Sequence, residues 1–121
     1  MTEKDKKNDL GVLKINNEVI ASIARNAALQ VDGVESVKRG MFSMLSDLFS
    51  KGYHHKGITL DISDSEVKIG VTIVVRYGVT IPDVSSLVQE NIRAAIEEMT
   101  GLSVSEVNVN IADIHSEESE N

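Results

Sequence analysis

The sequence predicts an α+β fold: a two-layer sandwich in which two main helices cover one face of a small mixed sheet. Three observations carry this. Apolar residues recur at helical spacing in two stretches, 20–31 and 84–99. Apolar and polar residues alternate on both sides of the turn-forming run Ser63–Glu66. A further alternating run, Val107–Ile111, follows the second helical stretch. The order read along the chain is β-α-(β)-(short α)-β-β-α-β.

Each element has its own signal. Gly11–Ile15 reads as a short strand, and Asn16 or Asn17 then offers an N-cap oxygen. Ile20, Ile23, Ala24, Ala27, Ala28 and Val31 make one helical face, with Asp32-Gly33 ending it at a residue suited to left-handed backbone. Val34–Lys38 reads as a second short strand. At 100° per residue, Met41, Phe42, Met44, Leu45, Leu48 and Phe49 fall in one arc, opposite Ser43, Ser46, Asp47 and Ser50. Lys51–Gly57 is expected to be a loop bounded by Gly52 and Gly57.

Ile58, Leu60 and Ile62 then alternate with Thr59 and Asp61. Val67, Ile69, Val71, Ile73, Val75 and Tyr77 do the same in a longer strand rich in β-branched residues. Gly78 breaks that strand, and Pro82 sits in the first turn of the second helix, where its missing N–H is harmless. Val84, Leu87, Val88, Ile92, Ala95, Ile96 and Met99 form the expected apolar stripe, and Gly101 closes the helix.

Length and composition set outer bounds. The chain has 121 residues, 41% hydrophobic and 26% charged, which suits one globular domain. The expected division is a disordered tail at 1–9, one domain at 10–112 and an acidic tail at 113–121. With two Phe, two Tyr and no Trp, the core must be aliphatic. The absence of Cys excludes disulfides, thiolate nucleophiles and thiolate metal ligands. Met1–Asp9 is polar and lacks the apolar segment of a secretory signal, and no apolar run approaches the ~20 residues of a membrane span. A cytoplasmic location is expected.

The formal charge of −7 argues against nucleic acid as a partner. The charge is unevenly spread. Asp113, Glu117, Glu118 and Glu120 stand in the last nine residues with no base. Lys38, Arg39, Lys51 and Lys56 stand against the single acid Asp47 between residues 38 and 60.

No catalytic constellation emerges. His54-His55 are adjacent, so they do not readily face one metal together, and no carboxylate follows three to five residues on. His115 stands alone in the expected tail. Asp61–Glu66 lacks the sixth-position glycine and the distal glutamate of a calcium loop, and turn chemistry explains it. No Gly-x-Ser-x-Gly elbow, Walker loop or dinucleotide fingerprint occurs. Glu90, Glu97 and Glu98 lie off the apolar arc and read as a solvated face. No catalytic residue, metal or cofactor is expected, and the chain reads as a binder.

For binding, the basic, Met- and Phe-rich middle is the first candidate: Lys38, Arg39, Met41, Phe42, Met44, Leu45, Leu48, Phe49, Lys51, His54, His55 and Lys56. Two readings stay open there. The arc folds down to finish the core, or it forms an adaptable docking surface for a protein partner. Its few bases make direct membrane binding weak at best.

Two runs are distinctive as sequence: Tyr77-Gly78-Val79-Thr80-Ile81-Pro82-Asp83-Val84, and Val88-Gln89-Glu90-Asn91-Ile92. Their continuation is Glu98-Met99-Thr100-Gly101-Leu102 and Glu106-Val107-Asn108-Val109-Asn110. Together with Ile15–Ile20 and Val31–Val34 they resemble the alkaline shock protein (Gls), or cell-envelope stress response, family of Gram-positive bacteria. The resemblance spans roughly residues 11–112, with Tyr77, Gly78, Pro82, Gln89, Glu90, Asn91, Thr100, Gly101, Asn108 and Asn110 as its signature. It implies a non-enzymatic protein that works through partners, a membrane-anchored protein among them, at the inner face of the membrane. Self-association occurs in such families. An alternative implied role is regulation of a fatty-acid synthesis enzyme such as acetyl-CoA carboxylase. A small enzyme without a recognisable motif is a further alternative. The resemblance transfers no catalytic residue, and it is weakest over Met41–Lys56.

Overall fold

The computed structural model describes residues 17–38 and 53–116. The elements are α1 (Asn17–Leu29), β1 (Val34–Val37), β2 (Tyr53–His55), β3 (Ile58–Ser63), β4 (Glu66–Arg76), α2 (Ile81–Thr100) and β5 (Ser103–His115). The expected α+β sandwich is present, and the sheet is mixed. The expected strand at Gly11–Ile15 and helix at Met41–Ser50 lie outside the described residues.

β4 is the spine of the sheet. It pairs in parallel with β5 along its whole length, from Glu66↔Ser103 to Arg76↔His115. Its other edge is shared between two antiparallel neighbours. β3 takes Glu66 to Val71 in a hairpin, and β1 takes Ile73 to Val75. β2 lies outside β3. Where β1 ends and β3 begins, the Thr72 carbonyl accepts from Lys38 N–H while Thr72 N–H donates to the Gly57 carbonyl. A Cβ on Gly57 would meet Lys38 backbone at 2.9 Å, so only glycine lets the two strand ends abut.

The alternation in β4 explains the core. Val67, Ile69, Val71, Ile73 and Val75 point to the helices and are buried, joined from β3 by Ile58 and Leu60. Full burial of such a side chain contributes roughly 1.5–3 kcal/mol. Helix α1 presents Ile20 with Ala21, Ala24, Ala27 and Ala28. The small alanines allow close approach to the second layer.

Helix α2 is amphipathic, but its buried line differs from the expected stripe. Val84, Val88, Ile92, Ile96 and Thr100 recur every fourth residue. Four residues turn the helix by 400°, so the buried line drifts about 40° per step around the axis. A fixed projection misses that drift and places Leu87 and Met99 inside. They are 50% and 69% exposed.

Three further readings are corrected. The expected loop Lys51–Gly57 contains β2, whose Tyr53 and His55 pair with Leu60 and Ile58. Lys56 and Gly57 both take positive φ, 48° and 88°, closing a two-residue hairpin. The first helix ends at Leu29, ahead of Asp32-Gly33. Gly33 instead serves close packing: at φ 107°, a Cβ there would stand 2.9 Å from Val84 Cγ2. Finally, β5 runs to His115, so Asp113 belongs to a strand.

Candidate functional site: an open sheet edge beside an apolar depression

β5 is an edge strand among the described residues, and an edge presents a row of backbone donors and acceptors. The direction of each group follows from its partners. Ser103 N–H donates inward to the Ser65 carbonyl, and the His115 carbonyl accepts inward from Tyr77 N–H. Val104 and Val107 face outward, because their groups are met by side chains of α2. The Val104 N–H donates to Glu97 Oε2 at 2.9 Å, Arg93 Nε donates to the Val104 carbonyl at 3.4 Å, and Gln89 Nε2 donates to the Val107 carbonyl at 3.0 Å. Residues 89, 93 and 97 recur every fourth residue, which sets all three on one flank of the helix.

Bulges interrupt the β4–β5 register at Ser105 and at Ala112, leaving 106–111 regular. By alternation Asn108 and Asn110 bond inward to β4, whereas Val109 and Ile111 turn their N–H and C=O outward. Beyond the second bulge, Ile114 also faces outward, and its N–H is taken by the Asp113 side chain at 2.8 Å. Side chains thus cap both outward groups of Val104, the Val107 carbonyl and the Ile114 N–H on the outer edge of β5. Between them Val109 and Ile111 are uncapped among the described residues.

Toward the end of β5, Val75, Arg76, Tyr77, Gly78, Val79, Ile81 and Ile114 line an open depression of about 330 Å³. Tyr77 is 77% exposed and Ile114 47%. Gly78, at φ 97°, turns the chain from β4 toward α2 and leaves Tyr77 at the rim. The rim is held by Arg76, whose guanidinium meets Asp32 at 2.6 Å and whose N–H donates to the Gly33 carbonyl. His115 Nδ1 lies 3.5 Å from Glu35. Among the described residues, outward strand groups without a partner near an apolar floor suit an extended polypeptide, and no cluster of three or more metal-ligating side chains occurs.

The signature residues now have places. Gln89 closes the β5 edge, and Asn91, on the opposite flank of the buried line, donates to the Ala27 carbonyl of α1 at 3.1 Å. Glu90 between them is exposed. Pro82 stands in the first turn of α2, and Gly101 takes φ 78° at its C-cap. Thr100 Oγ1 donates to the Ile96 carbonyl and accepts from Leu102 N–H, so its hydroxyl is satisfied on both sides. Asn108 and Asn110 are exposed on the face away from the helices, with Asn108 donating to Glu106 at 2.7 Å.

Of the basic candidate patch, Lys38 is exposed at the end of β1, Lys56 lies in the β2–β3 turn, and His54 and His55 lie on β2 with Tyr53 packed on the core. His54 and His55 point to opposite faces of the sheet by strand alternation. Arg39, Met41, Phe42, Met44, Leu45, Leu48, Phe49 and Lys51 lie outside the described residues. The open edge at Val109 and Ile111 was not singled out by the sequence. It depends on which edge of β4 the last strand occupies, a choice that residue pattern does not encode.

Comparison with known proteins fixes the family. Residues 5–116 match the alkaline shock protein 23 family, described as having a cell envelope-related function. The chain belongs to this family. Among relatives, YqhY of Bacillus subtilis is 42% identical over 105 residues, covering 87% of this chain and 78% of that protein. A protein of Streptococcus pyogenes named as a homolog of the stress response regulator gls24 is 29% identical over 109 residues, covering 89% of this chain and 61% of that protein. Among solved structures, a variant of MamM-CTD superposes with a TM-score of 0.51 at 14% identity, covering 81% of this chain and 98% of that one. That likeness is one of fold. Among the described residues of this family member, no helix is long and apolar enough to cross a membrane.

Proposed function

We propose that this family member is a non-enzymatic interaction module of the envelope stress response, acting at the inner face of the membrane through protein partners. The observation that carries the reading is the Val109–Ile111 stretch, uncapped among the described residues, on the strand that leads to the depression rimmed by Tyr77 and Ile114. Edge strands in folded proteins are normally blunted, and here side chains blunt both ends of one. The open interval between them is the kind of surface a polypeptide recognises through its backbone. The family's cell envelope-related function and the stress-response name of one relative support the cellular setting.

The test is a chromosomal deletion challenged with wall-active antibiotics. Survival falls, wild-type protein restores it, and a folded double variant Tyr77→Ser with Ile114→Ser does not. Unchanged survival of the deletion strain contradicts the envelope role.

A further inference from the structure

We propose that Val109 and Ile111 of β5 take up an extended segment of a partner protein as a sixth strand, and that this segment alternates apolar residues with lysine or arginine. The inference deepens the binding-module reading and rests on it.

The backbone supplies the first requirement. Val109 and Ile111 face outward with their N–H and C=O uncapped among the described residues, between Val107, whose carbonyl accepts from Gln89, and Ile114, whose N–H is held by Asp113. A partner strand lying ~4.8 Å away meets the N–H and C=O of both residues. The side chains supply the second. Val109 and Ile111 are half-buried on the helix face, and past them lies the depression lined by Val79, Ile81, Tyr77 and Ile114. Alternate residues of an added strand would lie against Val109 and Ile111 on this face, and a strand continuing past Ile111 would reach the depression at Ile114, so they must be apolar.

Charge decides what the intervening residues are. On the opposite face β5 carries Glu106, Asn108, Asn110 and Asp113, all exposed. The chain as a whole is −7. Lysine or arginine at the alternate positions of the incoming segment meets these acids, and acidic residues there are repelled. The same charge disfavours a second copy: pairing two β5 strands sets the Glu106 and Asp113 carboxylates of both on one face.

The experiment uses the full chain and fluorescein-labelled hexapeptides at physiological salt, read by anisotropy and by amide exchange in NMR. A peptide alternating valine with lysine binds, and on saturation the Val109 and Ile111 amides become protected. Replacing its lysines by glutamates, or grouping its valines together, weakens binding about tenfold or more. Because a strand uses one bonded edge, N-methylating one alternate set of its amides abolishes binding while methylating the other set leaves it. Ile114→Ser, an exposed position, weakens binding several-fold without altering the fold. No binding, equal binding of the grouped peptide, equal effects of both N-methylated sets, or protection elsewhere overturns the proposal. Protection of Val109 and Ile111 that rises with protein concentration in the absence of peptide also overturns it, in favour of a second copy. A deletion strain with normal survival alongside specific peptide binding removes the envelope role and leaves the strand-addition site standing.

Discussion

The Gln89 side-chain amide donates to the Val107 carbonyl at 3.0 Å, joining the flank of α2 to the outer edge of β5. With Glu97 accepting from Val104 N–H and Arg93 donating to its carbonyl, it makes the helix a partial sixth neighbour of the five-stranded sheet, closing the edge where no described strand does. Gln89→Ala leaves the Val107 carbonyl unpaired in a half-buried setting. A loss of about 0.5–1.5 kcal/mol is expected, measured by urea unfolding at constant m.

Asn91 does the corresponding work between the helices. The carbonyls of the last turn of α1 need donors from beyond its end at Leu29. Asn26 and Ala28 find them in Gln30 and Val31 backbone N–H, and Ala27 finds one in Asn91. Asn91→Ala is expected to cost about 1–2 kcal/mol, and Asn91→Asp at least as much, because a carboxylate cannot donate. Thermal unfolding of the two variants checks the order.

The drift of the buried line on α2 gives a prediction of contrast. Leu87→Ser and Met99→Ser are expected to change stability by no more than about 0.5 kcal/mol. Ile92→Ala and Ile96→Ala, at positions sealed from solvent, should cost about 2–5 kcal/mol each. Comparable losses at all four positions would restore the fixed-projection stripe.

Gly33 carries two demands at once, a φ of 107° and a 2.9 Å approach to Val84. Gly33→Ala meets both and is expected to destabilise by about 2–4 kcal/mol. Adding Val84→Ala to it relieves the steric part, so the double variant should lose less than the sum of the two single changes. Strict additivity would mean that backbone strain alone sets the cost.

Much of the architecture was legible because single-residue chemistry dictates it. β-branched alternation marks β4, Asp64-Ser65 marks its hairpin with β3, and Pro82 and Gly101 bracket α2. Failures arose where geometry accumulates or where pairing decides. The 40° drift exposed Leu87 and Met99. β2 is only three residues long, too short for a periodic signal, and its Lys56-Gly57 turn lacks the Asn-Gly or Asp-Gly signature. Asp113 reads as part of an acidic tail, yet a parallel ladder with Val74 holds it in β5. The signature runs were visible as residues, but not their division of labour. Gln89 and Asn91 serve opposite flanks of one helix, and that requires knowing what lies on each side. The open edge was the least legible of all, since it is defined by which backbone groups the other residues fail to reach.

Native-state amide exchange on the free chain at low concentration tests that edge most directly. Asn108 and Asn110 donate to β4, whereas Val109 and Ile111 donate to nothing among the described residues. Protection is expected to alternate along β5, with the Val109 and Ile111 amides exchanging about 100-fold faster than those of Asn108 and Asn110. Uniform protection across the four amides would mean that the edge is already covered, and would contradict an open strand-addition site.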